Sequence, residues 1–281
     1  MTLTRVQLLN IRQLLQMLKL VRRFLRKVLN LFNTTIRTNL RENVSNLILE
    51  SILNVKIIKK LYNNDWLDWI IVKVNTFLVK NGKFPYKPFL NDEFRDHEGV
   101  AELKENFEVI KEELLEASKG AAPIQGDLFF DEQVTDDGKW HRVHLQWYGN
   151  PFFRGKKTCP KTMEIIHRHK DIRLAMVSIL KPNAVIKPHF GPWAGSYRCL
   201  LGIQTPNSPR CAITVGGLKA WWQDGEEMFF DDTFEHSVNN ATSKHRIVLF
   251  MDIERPMKNK FYTAIRWILN RTVTKLTARG D

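Results

Sequence analysis

Along residues 3–32, Leu8, Ile11, Leu15, Leu18, Leu25, Leu29 and Phe32 recur at three- and four-residue steps, the period of one face of an α-helix. Arg12, Lys19, Arg23 and Arg26 fall off that stripe, so the predicted helix is amphipathic and basic. Residues 36–82 keep a helical texture, broken at Asn43, Asn46 and Asn63-Asn64 and ended by Asn81-Gly82. Lys83–Asn91 carries Pro85 and Pro88 and predicts an extended linker. An acidic helix is expected over residues 98–117, closed by Gly120-Ala121-Ala122-Pro123.

From about residue 140 the period shortens. Arg142–Tyr148, Ile172–Leu180, Val185–Pro188, Arg198–Gln204, Ala212–Val215, Met228–Asp231 and Arg246–Ile253 are short β-favouring runs punctuated by Pro, Gly and Asn. One helix, Pro160–His169, is expected before the second run. Strands this short and this numerous predict a mainly β fold, a double-stranded β-helix of the jelly-roll, cupin-like kind. A last amphipathic segment mixes Phe261, Ile265, Trp267, Ile268, Leu269 and Val273 with Arg266, Arg271 and Lys275. The expected organisation is a basic helical region over 1–82, a jelly-roll domain over 83–257 that includes the acidic helix, and a basic amphipathic helix over 258–281.

Charge sharpens this division. The net formal charge of +13 is carried by the ends, at +10 over residues 1–60 and +5 over 258–281, while 61–257 sum to −2. A near-neutral centre argues against a nucleic-acid groove, and basic amphipathic ends suit an anionic membrane surface. A helix packed on the domain with solvated charges is the plainer alternative. No apolar run reaches the roughly 20 residues of a membrane span, and charges within the first helix break any signal-peptide core. A peripheral position on the cytoplasmic face of a membrane is therefore expected. Cys159, Cys199 and Cys211 have no CxxC spacing and read as free thiols of a reducing compartment.

Of eight histidines, His189 and His236 stand apart, because each sits beside a turn at a strand edge. A jelly roll brings such edges together at its open mouth, where two neutral imidazoles suit Fe(II) and oxygen chemistry. Spacing alone equally allows two structural histidines.

The stretch Trp147–Met257 resembles the aspartyl/asparaginyl β-hydroxylase family of Fe(II)/2-oxoglutarate dioxygenases. The matching residues are Trp147-Tyr148-Gly149, Cys159-Pro160-Lys161-Thr162, Ala194-Gly195-Ser196-Tyr197-Arg198, Thr205-Pro206-Asn207-Ser208 with Cys211, Trp222-Gln223-Asp224-Gly225-Glu226, Phe230 through His236, and Arg246 through Pro256. Asn207-Ser208 and Glu254-Arg255-Pro256 are most similar to the bacterial branch that hydroxylates an acyl chain of lipid A. The resemblance implies His189 and His236 as iron ligands, with Arg246, Arg198 and Ser178 as contacts of 2-oxoglutarate. It implies Fe(II), 2-oxoglutarate and O2 as the reacting set, and an acyl lipid as substrate. A peptide or small-molecule aspartyl or asparaginyl side chain is the alternative. Asp231, Asp232 and Glu235 are candidates for orienting the His236 ring, and Trp193, Trp221 and Trp222 for an apolar substrate trough.

Two positions depart from the pattern. Gly191 stands where the lipid A branch has an aspartate, although the vertebrate peptidyl branch also lacks that carboxylate and is active. Leu200 stands where members commonly have a histidine near the co-substrate. Gly191 also admits a halogenase-like site or a non-catalytic binding relative.

Overall fold

The computed structural model describes residues 65–123 and 138–277. The predicted basic helix of residues 3–32 lies outside them. The chain divides after Ile70 into two compact units, and the architecture that follows is that of the second.

Helix α1 (Asp65–Lys80) leads into helices α2 (Glu98–Glu105) and α3 (Phe107–Ser118). The expected acidic helix is thus two helices, parted at Asn106. The Asn106 side-chain amide and backbone N–H both turn back to the Glu102 carbonyl, at 2.9 and 3.2 Å, which closes α2 before α3 begins. Helices α4 (Phe153–Thr158) and α5 (Pro160–Arg168) follow, and α6 (Lys260–Thr277) ends the described chain. Pro160 starts α5 at a position that needs no N–H. The Glu113 carboxylate of α3 then accepts from the N–H groups of Lys161 and Thr162, at 2.8 and 2.9 Å, satisfying donors that a helix start leaves open.

All seven predicted strand runs are strands, with four further short ones. In order they are β1 (Ala122–Pro123), β2 (Trp140–Trp147), β3 (Asn150–Pro151), β4 (Ile172–Leu180), β5 (Ala184–His189), β6 (Ser196–Gln204), β7 (Cys211–Val215), β8 (Leu218–Trp221), β9 (Glu227–Phe230), β10 (His236–Asn240) and β11 (Arg246–Glu254). A seven-stranded sheet runs β1-β2-β4-β11-β6-β9, with β3 on β2, and a four-stranded sheet runs β5-β10-β7-β8. Every pairing is antiparallel. This is the expected jelly roll.

The larger sheet is buried on both faces for different reasons. Val177, Ile179, Leu249, Met251 and Ile253 alternate outward and join Leu103, Ile110, Leu114 and Ile166 of the helices in one core. The alternate positions of β11, namely Arg246, Val248, Phe250 and Asp252, face the other way, opposite Leu180, Ser178, Met176 and Leu174 of β4. That inner face holds the candidate site.

Lys83–Asn91 is extended but is no free linker. Leu90 donates its N–H to Phe229 and Asp231 donates to Pro88, both at 2.9 Å, and the Leu90 side chain is buried. The segment closes over the edge of β9. All three cysteines are buried free thiols. Among the described residues, no helix is long and apolar enough to cross a membrane.

Candidate functional site

His189 ends β5 and His236 begins β10, and the antiparallel register pairs them directly. Their ring centroids lie 4.1 Å apart. The His189 Nδ1 donates to the Lys187 carbonyl at 2.8 Å, and the His236 Nδ1 donates to the Phe234 carbonyl at 3.0 Å. A carbonyl can only accept, so each Nδ1 carries the proton and each Nε2 carries the lone pair. This is the tautomer of a metal-ligating histidine. Burial, with the neighbouring His189, pulls the His236 imidazolium down to about 3, so His236 is neutral at physiological pH.

The acids expected to orient His236 do other work. For each imidazole a backbone carbonyl two residues earlier takes the Nδ1 proton. Glu235 is exposed. Asp231 is buried and accepts from Arg255 Nη2 at 2.8 Å, and its other oxygen caps Thr233. Arg255 also donates to the Tyr197 hydroxyl at 2.8 Å and to the Ala194 carbonyl. The pair therefore ties the turn before His236 to the loop after His189. Asp231→Ala leaves the Arg255 charge buried alone and is expected to cost about 3–5 kcal/mol, read as a lowered denaturant midpoint. A change below about 1 kcal/mol would remove the pair from the set of structural ties.

Asp232 explains Gly191. A Cβ built on Gly191 would fall inside the Asp232 carboxylate, and the Gly191 N–H donates to the Asp232 carbonyl at 2.6 Å. The space a side chain at position 191 would need is thus taken by the Asp232 carboxylate, and among the described residues no third acid or histidine joins the imidazole pair as a metal-ligand group. Arg198 holds it, giving its Nε–H to Asp232 at 2.9 Å and an Nη1–H to Asp252, while its guanidinium lies 4.5 Å from the Phe250 ring centre. Burial pushes the Asp252 carboxyl up to about 6 despite Arg198. Arg198, expected to touch the co-substrate, is paired with two aspartates here.

Arg246 is different. It is 2% exposed, and no carboxylate pairs with it among the described residues. One Nη2–H reaches the Ser178 hydroxyl at 3.2 Å, the guanidinium lies 4.8 Å from the Trp222 ring centre, and its Nε has no hydrogen-bond partner. Ser178 is fixed in turn by the Trp140 indole N–H at 2.9 Å. Burial pulls Arg246 down to about 10, so it stays charged at neutral pH. A buried cation without a counter-ion is costly, and the donor set of guanidinium plus hydroxyl suits a carboxylate. Leu200 lies buried in the apolar cluster around this end, with Val248, Trp222 and Met228.

The expected trough of Trp193, Trp221 and Trp222 is not one surface. Trp222 is buried under Arg246, Trp221 is exposed on the edge strand β8, and Trp193 joins Trp147, Tyr148, Met176 and Phe250 in a separate cluster. Trp193 also donates to the Asn270 side chain of α6 at 2.9 Å. Consecutive residues at a strand end point to opposite sides, which separates Trp221 from Trp222.

Sequence reasoning missed Asp252, Tyr148, Trp140 and Arg255. One signal was available for Asp252. In Arg246–Ile253 every second position from Arg246 is either apolar or one of the two charges Arg246 and Asp252, and a charge on an otherwise buried strand face marks a site.

The fold and site define a double-stranded β-helix with a facing imidazole pair at its mouth and a buried arginine on its inner face. Residues 104–256 match the family model of aspartyl/asparaginyl beta-hydroxylases, and the chain belongs to that family. It is 31% identical over 164 residues to the ornithine lipid ester-linked acyl 2-hydroxylase of Rhizobium tropici, covering 57% of this chain and 58% of the relative. It is 29% identical over 184 residues to the human aspartate beta-hydroxylase domain-containing protein 2, covering 61% and 48%. Against the human aspartyl/asparaginyl beta-hydroxylase the identity is 28% over 167 residues, covering 56% and 21%. The chain thus spans 58% or less of these curated relatives.

Proposed function

We propose that the protein is an Fe(II)/2-oxoglutarate dioxygenase that hydroxylates an unactivated C–H of a lipid acyl chain, of the lipid A type or a comparable acyl lipid. The observation that carries the co-substrate is Arg246, a buried guanidinium with a hydroxyl beside it and no counter-charge among the described residues. The acyl lipid is supported by the similarity to an ornithine lipid acyl 2-hydroxylase.

His189 and His236 would hold the metal through Nε2. When bound, the metal and 2-oxoglutarate use O2 to place one oxygen on the substrate C–H and the other in succinate, with release of CO2. Arg246 and Ser178 would bind the far carboxylate of the co-substrate. Trp222, Leu200 and Val248 keep water from that end. Asp232, held by Arg198, packs against Gly191 in the loop that follows His189.

Basic amphipathic ends would bring the enzyme to the cytoplasmic face of an anionic membrane. Exposed Trp267 of α6, with the Arg271 guanidinium 4.6 Å from its ring centre, supports such an interfacial role.

Anaerobic titration of the full chain with Fe(II) and then 2-oxoglutarate tests the reading. A metal-to-ligand charge-transfer band is expected, and it should vanish in His236→Ala. No band in the intact protein would leave a non-catalytic binding protein as the answer. Mass spectrometry of lipids from cells with and without the protein then reads the substrate as a gain of one oxygen on an acyl chain.

A further inference from the structure

Resting on the reading of His189 and His236 as metal ligands, we infer that Asn75 and Asn270 are positioning residues for the metal site. From helices on either side of the jelly roll in sequence, they hold the loop that joins His189 to Arg198.

Residues 190–195 leave β5 after His189 and enter β6, in which Arg198 is the third residue. The polar groups of this loop are met from outside it. Gly191 donates its N–H to the Asp232 carbonyl. The Asn75 side chain of α1 then spans two loop residues: its Nδ2 donates to the Pro192 carbonyl and its Oδ1 accepts the Ala194 N–H, both at 2.9 Å. A carboxamide offers a donor and an acceptor side by side, as a neighbouring strand would, whereas aspartate lacks the donor and leucine lacks both. The partners also fix which way the amide lies, because a carbonyl only accepts and an N–H only donates.

Asn270 of α6 makes the second tie. It is buried, its Oδ1 accepts the Trp193 indole N–H at 2.9 Å, and its Nδ2 donates to Glu254 at 3.2 Å. Glu254 ends β11 and also pairs with Arg266 of α6 at 2.6 Å. A Cβ on Gly195 would run into both Trp193 Nε1 and Asn270 Oδ1, so glycine at 195 leaves the space in which this bond is made.

The two helices are themselves fixed. Phe77 of α1 meets Tyr262 of α6 edge-on at 5.7 Å, and both pack on the buried cluster of Leu78, Ala194 and Met257. Lys83 donates its N–H to the Pro256 carbonyl at 2.8 Å, and Lys258 donates to the Asn81 carbonyl at 3.0 Å. The chain leaving α1 therefore runs beside the chain entering α6, and Ala194 is where the loop meets the packed pair. Neither asparagine lies within residues 104–256, which match the family model, so these ties are made by parts of the chain outside the matched domain.

The effect is preorganisation. A loop held before the metal binds need not be ordered by it, and fixing the backbone of one residue costs about 5- to 30-fold in an equilibrium.

The test measures Fe(II) affinity of the full chain by anaerobic titration with 2-oxoglutarate present, using the charge-transfer band. The denaturant midpoint and amide hydrogen exchange of the metal-free protein are measured beside it. Asn75→Ala is expected to lower Fe(II) affinity at least about tenfold and to speed exchange at the Ala194 amide. Ile110→Val, in the core on the outer face of the larger sheet, is the stability control. It should lower the midpoint and leave Fe(II) affinity within about twofold. Asn270→Ala and Trp193→Phe should each weaken Fe(II) binding about 2- to 10-fold. The double variant should be no weaker than the worse single one, because both remove the same bond.

Three results overturn the inference: Fe(II) affinity within about twofold of wild type in Asn75→Ala, an equal loss in Ile110→Val, or additive losses at Asn270 and Trp193. Each leaves the iron reading intact, because wild type still shows the band, whereas no band in wild type sinks that reading instead. Should Asn75→Ala not fold, Asn75→Asp keeps the shape and removes only the donor to Pro192. A loss of at least about fivefold in Fe(II) affinity is expected there, and an unchanged affinity counts against the tie.

Discussion

Gly191→Asp, which restores the carboxylate of the lipid A pattern, is expected to abolish activity. The Cβ of any residue at 191 falls inside the Asp232 carboxylate. The backbone cannot easily give way, because the Gly191 N–H is fixed to the Asp232 carbonyl at 2.6 Å and His189 is paired across the strands with His236. An added carboxylate would also face Asp232 as a like charge. Overpacking of this kind costs about 1–3 kcal/mol or more, and here the displaced atoms adjoin the imidazole pair. We expect Fe(II) affinity to fall by about 10- to 100-fold in Gly191→Asp and nearly as far in Gly191→Ala, the loss seen when groups supporting a metal ligand are removed. The double variant Gly191→Asp/Asp232→Gly, which moves the carboxylate from one side of the contact to the other, should recover part of the loss. Fe(II) titration followed by the charge-transfer band reads all three. Gly191→Ala binding Fe(II) within about twofold of wild type would show that Asp232 does not need this space.

Arg246→Met should separate co-substrate binding from stability. Truncating one partner of a buried charge pair costs about 2–5 kcal/mol in binding, so KM for 2-oxoglutarate should rise by about 30- to 5000-fold. The protein alone should be at least as stable as wild type, because Arg246 is a buried charge without a counter-ion among the described residues and methionine removes that desolvation cost. Thermal unfolding with and without 2-oxoglutarate makes the distinction. Wild type gains melting temperature from the ligand, whereas the variant starts as high or higher and gains little. A variant that is several kcal/mol less stable yet keeps its response to 2-oxoglutarate would assign Arg246 a structural role and take the co-substrate elsewhere.

Much of this architecture was legible in the chain. The seven strand runs could be read because their β-favouring pattern is a local property, and the strands that were missed, such as Leu218–Trp221 and His236–Asn240, are mixed in polarity. The acidic helix read as one because its periodicity carries through Asn106, while the break depends on an asparagine bonding back by one turn. His189, His236, Arg246 and Ser178 were found as a set only through the family resemblance, since no spacing rule joins them.

The sequence by itself therefore determined the jelly roll, the two strand-edge histidines and the arginine of the last long strand, because these follow from local period and from motif. Only the tertiary structure decided what Gly191 and Arg198 touch. Position 191 reads as a missing ligand until the sheets close, and closure brings the Asp232 carboxylate into the space that glycine leaves open. Arg198 reads as a co-substrate contact, and the tertiary structure adds that Asp232 and Asp252 reach it from a turn and another strand. Both outcomes depend on contacts between residues far apart in the chain, set by strand register rather than by any neighbouring residue.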